Sequence, residues 1–403
     1  MRTRFLQNAL TLGLLSAIGP FAIDMYLPAL PSIGRSLGAG GSPVQMTLTI
    51  FFIALAAGQP LCGPLSDRFG RKPPLYAGLA LFAAGSLGCA LAANIGTLIA
   101  FRFLQGLGAC AGMVIPRAVV RDLHTGVDAA RLMSLLMLVF SISPILAPLT
   151  GSFVIEAWGW RAVFWSVLAA ALLGMAILAT LRETRSARER ASSSLAGAWR
   201  AYRTLLRDRS FLALTFVGAS GIASFFIYLS NSPFVLIEHY RLSPRLYSVL
   251  FSLNAAAFFA VAQLNGWLAL RFGLRRLVRG AATGFAAALL LLLGLVCAGV
   301  ERLEVLVALL FIGFGFLGLV LPTSAVLALE EHGSIAGTAS ALMGTVQFAL
   351  GSAVMLLVGS LASTRPLPMV AGIAGCALLA ATLAHASLRS TRGAAARLSA
   401  QQF

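Results

Sequence analysis

Two side chains in this chain can do chemistry at membrane depth, the carboxylate of Asp24 and the guanidinium of Arg102. Asp24 stands in the apolar run Ala22-Ile-Asp-Met-Tyr-Leu-Pro28. An ionised carboxylate inside a bilayer costs at least ~2.5 kcal/mol, so it faces an aqueous cavity, finds a partner or takes up a proton. Such a group suits the passage of a proton across a membrane, and a carboxylate simply wetted at the mouth of its helix is the plainer alternative. Arg102 opens the run Arg102-Phe-Leu-Gln-Gly106 inside another apolar stretch. If the first span runs outward from about Leu6 and the fourth inward from about Leu98, Asp24 lies ~27 Å along one, and Arg102 lies ~6 Å below the outer end of the other. The levels agree. Direct pairing would lower the burial cost of each group, and protonation of Asp24 would release the arginine. An Arg102 that snorkels to the outer surface fits the same depth.

Tyr26, Gln105 and Asn254 are expected to line a solute cavity, because an amide or hydroxyl in a span needs a partner or water. Phe225-Phe226 and Phe258-Phe259, close to Asn254 in register, offer an aromatic wall to a moderately apolar solute.

The elements that must position these groups are membrane helices. With 59% hydrophobic and 11% charged residues over 403 positions, and a mean hydropathy of +0.90, the chain exceeds what one soluble core can bury. Apolar stretches recur to both ends and give twelve spans, near 6–28, 45–65, 75–93, 98–119, 132–156, 161–181, 211–232, 246–269, 277–299, 303–328, 335–360 and 367–387. The first is too long for a signal segment and reads as a retained helix. With both termini cytoplasmic, 23 of the 30 Lys and Arg fall on the cytoplasmic side, six fall outside and Arg102 lies within a span. That asymmetry is the positive-inside pattern, so the net charge of +17 reads as topology and attraction to anionic lipid. Nucleic acid is not an expected partner.

The expected organisation is an N-terminal six-helix bundle (1–181), a basic cytoplasmic linker (182–210) and a C-terminal six-helix bundle with a short basic tail (211–403). The linker combines Arg185, Arg188, Glu189, Arg190 and a serine run with a partly apolar stretch from Trp199 to Leu206. A flexible tether ending in a surface-lying amphipathic helix is one reading, and a solvated tether without a helix is the other. The halves echo one another: Gly63-Pro-Leu-Ser-Asp-Arg-Phe-Gly-Arg-Lys72 follows the second span, and Gly266-Trp-Leu-Ala-Leu-Arg-Phe-Gly-Leu-Arg275 follows the eighth. Matched Gly and Phe spacing points to an internal repeat, the arrangement that rocks one half against the other in alternating access.

The first of these loops resembles the signature loop of the major facilitator superfamily. Ile23-Asp-Met-Tyr-Leu-Pro-Ala-Leu-Pro31 resembles the first-helix motif of its Bcr/CflA drug-resistance subfamily, proton-driven exporters of drugs such as bicyclomycin and chloramphenicol. Arg102 to Gly106, Arg117 through Arg121-Asp122, and Ser143-Pro-Ile-Leu-Ala-Pro-Leu-Thr-Gly151 match in order, the last resembling the superfamily's antiporter motif with Thr150-Gly151 where a glycine pair is commoner. The resemblance implies a cytoplasmic gate at Gly63, Asp67, Arg68, Gly70 and Arg71. In it, Asp67 pairs with an arginine such as Arg121 or accepts amide hydrogen bonds at a helix start in the other half; a simple capping role is the alternative. Gly63 is read as a close-packing residue and Gly70 as the turn. Leu270 replaces the acid in the second loop, so the gate is expected to be asymmetric. Pro144, Pro148 and Gly151 are read as packing and conformational control, and Trp158, Trp160 and Trp165 as an interfacial belt.

No nucleotide loop, metal spacing or nucleophile and base pattern is present in the sequence, and the five cysteines lack paired spacing. The expected protein is therefore a monomeric, multi-pass transporter of the bacterial inner membrane, not an enzyme and without a cofactor. Its partners are protons, membrane lipids and a small-molecule drug or metabolite. Proton-coupled export of drugs or small amphipathic solutes is the leading expectation. Proton-linked movement of an amino acid or peptide, or a non-transporting receptor or assembly role, are the alternatives.

Overall fold

The computed structural model describes residues 2–123, 126–186, 195–332, 335–361 and 363–400. Fifteen α-helices are seen among them: α1 (Arg2–Asp24), α2 (Leu30–Leu37), α3 (Gly41–Phe69), α4 (Lys72–Ala90), α5 (Ile95–Leu123), α6 (Gly126–Trp158), α7 (Arg161–Thr180), α8 (Leu195–Leu205), α9 (Arg209–Pro233), α10 (Pro244–Gln263), α11 (Asn265–Phe272), α12 (Leu274–Cys297), α13 (Leu303–Leu329), α14 (Ala336–Gly359) and α15 (Pro366–Ala400). Among the described residues twelve stretches are long and apolar enough to cross a membrane, as many as the sequence implies. Side chains such as Leu91, Phe153 and Leu357 are exposed along them, as lipid-facing surfaces require.

Three spans are less regular than hydrophobicity alone implies. The first stops at Asp24, turns at Met25–Tyr26, passes through one tight turn at Leu27–Ala29 and resumes as α2. Pro28 and Pro31 supply the fixed φ and the missing donors that favour this break. The seventh continues past Pro233 as a widened turn, Phe234–His239, and the eighth is interrupted at Leu264 between α10 and α11. The stretch hardest to divide from the sequence, 277–328, is cut at Ala298 to Arg302, where Gly299 has φ +85°.

The chain forms two compact units. One comprises Met1–Trp199, Leu229–Ser252 and Gly359–Thr364; the other comprises Arg200–Tyr228, Leu253–Val358 and Arg365–Phe403. In the first, α5 packs on α3 and α4, and α1 lies against α5, α6 and α7. Hydrogen bonds fix the later segments to it. Gln45 Nε2 donates to Asn231 Oδ1 at 3.2 Å, Ser248 Oγ to the Pro148 carbonyl at 2.8 Å and Ser252 Oγ to the Ile145 carbonyl at 2.7 Å, while Arg245 pairs with Glu156. In the second, α12 packs on α13 and α15, and an aromatic cluster forms from Tyr228, Phe225, Phe258 and Phe314.

The linker residues 187–194, with Arg188, Glu189, Arg190 and the serine run, lie outside the described residues. The stretch after them is the helix α8, with Leu205 buried and Trp199 exposed. Of the three tryptophans expected in an interfacial belt, Trp158 and Trp165 are exposed, but Trp160 is buried edge-on to Phe164 with the Arg161 guanidinium over its ring.

Candidate functional site

Arg102 is fully buried, which removes the snorkelling alternative. Its position on α5, facing α1 and α3, surrounds it with neutral neighbours. Nη1 donates to Gln105 Oε1 at 2.6 Å and to the Ala22 carbonyl at 3.4 Å, and Nε donates to the Thr47 carbonyl at 3.3 Å. The guanidinium lies over the rings of Phe51 (4.4 Å), Tyr26 (4.6 Å) and Phe164 (6.0 Å). Cation–π contacts in a desolvated setting contribute ~2 kcal/mol, enough to help hold a charge that no carboxylate neutralises. Nη2 has no hydrogen-bond partner.

Asp24 is buried as the last residue of α1. The direct Asp24–Arg102 pair considered from depth is not made. Among the described residues Arg102 has no ion pair at all. The two are linked instead through backbone, since Arg102 grips the carbonyl of Ala22 two residues before Asp24. Ser143 of α6 stands beside the Asp24 carboxyl group.

The breadth of α6 beside Asp24 is set by Gly151. A Cβ there would lie 2.3 Å from the Met25 carbonyl oxygen and 2.8 Å from Met25 Cα, atoms of the backbone immediately after Asp24. Gly151→Ala is therefore expected to push α6 off α1 and to destabilise the protein by about 1–3 kcal/mol. A thermal melt of the purified variant checks this, and an unchanged midpoint would contradict the contact.

The expected cavity residues separate into two kinds. Tyr26 and Gln105 are fully buried and satisfied: the Tyr26 hydroxyl pairs with Thr47 Oγ1 at 2.7 Å, and Gln105 Nε2 donates to Ser86 Oγ at 2.8 Å. They hold Arg102 in place. Asn254 of α10 donates through Nδ2 to the Tyr228 hydroxyl at 2.8 Å, while its buried Oδ1 has no partner. The unmatched acceptor lies beside Tyr228 and the aromatic cluster. An apolar cavity of about 200 Å³ between α1 and α7, lined by Leu14, Ile18, Phe21, Met25, Val167 and Leu173, includes none of these polar residues.

At the loop between α3 and α4, Arg71 is buried and bridges both acids. Its Nε and Nη2 donate to Asp122 at 2.7 and 3.1 Å, and its Nη1 donates to Asp67 Oδ1 and to Ser66 Oγ, each at 2.7 Å. Asp67 pairs with Arg71 and with Arg185 at 2.7 Å, so the expected partner Arg121 is not the one used; Arg121 makes no ion pair among the described residues. Arg68 lies 5.7 Å from the Phe69 ring. Gly70 has φ +93°, the turn the sequence implies, whereas the space beside Gly63 is open for 4 Å and no helix packs closely there. Sequence reasoning gave no role to Ser66, Asp122, Glu183 or Arg185. The signal for Glu183 was weak: one acid, Leu181-Arg-Glu-Thr-Arg185, in an otherwise basic segment.

Among the described residues no group of three or more His, Cys, Asp or Glu is placed to hold a metal ion. Residues 12–356 match the model of the Major Facilitator Superfamily. The chain is 38% identical over 372 residues to the uncharacterized MFS-type transporter YdgK of Bacillus subtilis (strain 168), covering 90% of this chain and 91% of the relative. It is 30% identical to the bicyclomycin resistance protein homolog of Haemophilus influenzae, covering 92% and 93%. A crystal structure of the D-xylose-proton symporter superposes with a TM-score of 0.72 at 17% identity over 95% of this chain and 97% of that one, which shows the shared twelve-span, two-half fold. The chain thus belongs to the Major Facilitator Superfamily, among its resistance-type, Bcr/CflA-like members, as a multi-pass membrane transporter.

Proposed function

We propose that this transporter exports drugs or other small amphipathic solutes in exchange for protons, with Asp24 as the proton carrier. The observation that carries this reading is a buried carboxyl group at the broken end of α1, with no cation paired to it among the described residues, and a buried arginine bound to the backbone two residues before it. Protonation of Asp24 removes a charge and changes the balance around Arg102, Tyr26 and Gln105, and the distribution of Lys and Arg supports cytoplasmic termini. Asn254 Oδ1 accepts from an N–H or O–H of the solute against the aromatic wall. The bicyclomycin-linked name of one relative favours drugs over metabolites. The test is expression in a bacterium lacking its main efflux pumps, followed by resistance screening against bicyclomycin, chloramphenicol, florfenicol and cationic dyes. Protection against at least one is expected. No protection despite confirmed insertion would move the assignment to an amino acid or peptide.

In the same reading Gly63, Asp67, Arg68, Gly70 and Arg71 form the cytoplasmic gate, in which Asp67 closes against the other half, and Pro144, Pro148 and Gly151 control how α6 moves. Asp67→Ala should lower turnover severalfold while the equilibrium affinity for solute changes little, because the loop lies at a membrane face, on the order of 15 Å from a midplane cavity. Wild-type transport rates at equal membrane abundance would contradict the gate.

A further inference from the structure

The helix α8 takes no part in the transport mechanism, yet its outer face is not that of a plain tether. Its C-terminal end is fixed. Leu205 is fully buried, and Asp208 is held from two sides: Oδ1 accepts from Ser210 N at 2.8 Å and Phe211 N at 3.1 Å, and Oδ2 pairs with His332 Nε2 at 2.9 Å. The apolar span of α9 begins at Arg209, directly after Asp208, while α8 ends at Leu205. The four residue steps between them reach at most ~14 Å, so the end of α8 is confined to the neighbourhood of the membrane surface.

Helical periodicity sorts the exposed side chains of α8 into two stripes. Trp199 and Leu206 stand seven residues apart, two turns, on one line, and the Leu206 amide still donates to the Tyr202 carbonyl at 2.9 Å, which continues the helix by a residue. Both are exposed, at 75% and 54%. Arg200, Arg203 and Arg207 follow the i, i+3, i+7 spacing of a second line, about 40–100° round from the first, and all three are exposed. The buried anchor Leu205 lies to the other side of the apolar line. An apolar strip flanked by arginines suits a helix lying in the interface plane, with its apolar residues at the acyl boundary and its guanidinium groups at headgroup level.

The charge of the arginine stripe is not answered within the protein. Asp208 is the one acid in the sequence from Ala191 to Ile237, and both its oxygens are engaged elsewhere. Among the described residues Arg200, Arg203 and Arg207 make no ion pair, whereas the exposed Arg131, Arg245 and Arg302 pair with Asp128, Glu156 and Glu304. Uncompensated guanidinium groups beside an apolar strip complement phosphate oxygens held next to acyl chains, a combination that anionic phospholipid supplies. We propose that α8 is a recognition site for anionic phospholipid, in which Arg200, Arg203 and Arg207 bind headgroup phosphates while Trp199 and Leu206 enter the acyl boundary. A zwitterionic lipid carries the same phosphate with a cation beside it, so the site discriminates by net charge.

The test uses the full-length protein in nanodiscs of equimolar phosphatidylcholine and phosphatidylglycerol, with bromine on the acyl chains of one lipid or of the other. Emission from Trp199 is the difference between the wild type and Trp199→Phe. Brominated phosphatidylglycerol is expected to quench it at least twofold more than brominated phosphatidylcholine. That preference should vanish in Arg200→Gln/Arg203→Gln/Arg207→Gln, and in the unaltered protein at about 1 M salt, where screening acts within ~3 Å. The salt arm needs no substitution and decides the matter if the triple variant fails to fold. Equal quenching by both lipids in the wild type, or a preference that survives the triple variant or the salt, overturns the proposal. Quenching by neither lipid overturns it as well, by showing that α8 stands off the membrane. Loss of the preference in phosphate buffer but not in chloride of the same ionic strength would assign the stripe to free phosphate and overturn the lipid site.

Discussion

Asp24→Asn is expected to abolish solute accumulation driven by a proton gradient while leaving membrane abundance near wild type. Asparagine keeps the volume and polarity of the side chain, and no ion pair among the described residues is lost with the charge. What disappears is the titratable site. One proton moving through 100 mV supplies ~2.3 kcal/mol, enough for a gradient of about fiftyfold in a neutral solute, and that gradient is the size of the expected loss. Downhill exchange of solute at equal pH should persist, because it needs alternating access and not proton release. Proteoliposomes assayed with and without an imposed gradient separate the two activities. Uphill transport at wild-type level in the variant would contradict the role of Asp24.

Arg102→Ala is expected to be the most damaging single change in the first unit, and Arg102→Lys to rescue it poorly. Removal of the guanidinium strips its contacts to three ring faces and leaves Gln105 Oε1 buried without its donor. An orphaned buried acceptor costs about 1–3 kcal/mol and a desolvated cation–π contact adds ~2, so a loss of about 3–5 kcal/mol of stability follows. Lysine brings one compact ammonium. It cannot reach Gln105, Ala22 and Thr47 together as the planar fork does. Coupled transport in Arg102→Lys should fall by ~10-fold or more at matched abundance, and a lysine variant with wild-type rates would show that only the charge is needed.

The number and order of the spans were legible because each is an apolar run longer than a bilayer requires, and no competing soluble core was possible at this composition. The break after Asp24 was not. Pro28 and Pro31 mark a disturbed helix, but their positions do not say that the last regular residue is the carboxylate itself. Depth arithmetic correctly put Asp24 and Arg102 at one level, as the Arg102 to Ala22 contact shows, yet it could not choose the partner. The choice was local: Gln105 stands three residues after Arg102 on the same helix, a spacing at which side chains meet, and it took the guanidinium. At the loop, the turn at Gly70 was legible from residue type, but the openness around Gly63 and the contact between Glu183 and the Arg71 amide were not, since both depend on which distant segment returns to that place. The degenerate second loop was readable in outline, because replacing an acid with Leu270 removes a partner whatever the fold does around it.

The central claim, solute export against proton entry through Asp24, is tested most directly by recording both fluxes in one preparation. Purified protein is reconstituted into liposomes that trap a pH-sensitive dye, and a pulse of the solute identified by resistance screening is added on one side. The account predicts proton movement opposite to the solute and in fixed proportion to it in the wild type, with none above background in Asp24→Asn. Solute movement in the wild type without proton counterflow, or with protons travelling in the same direction, would contradict it.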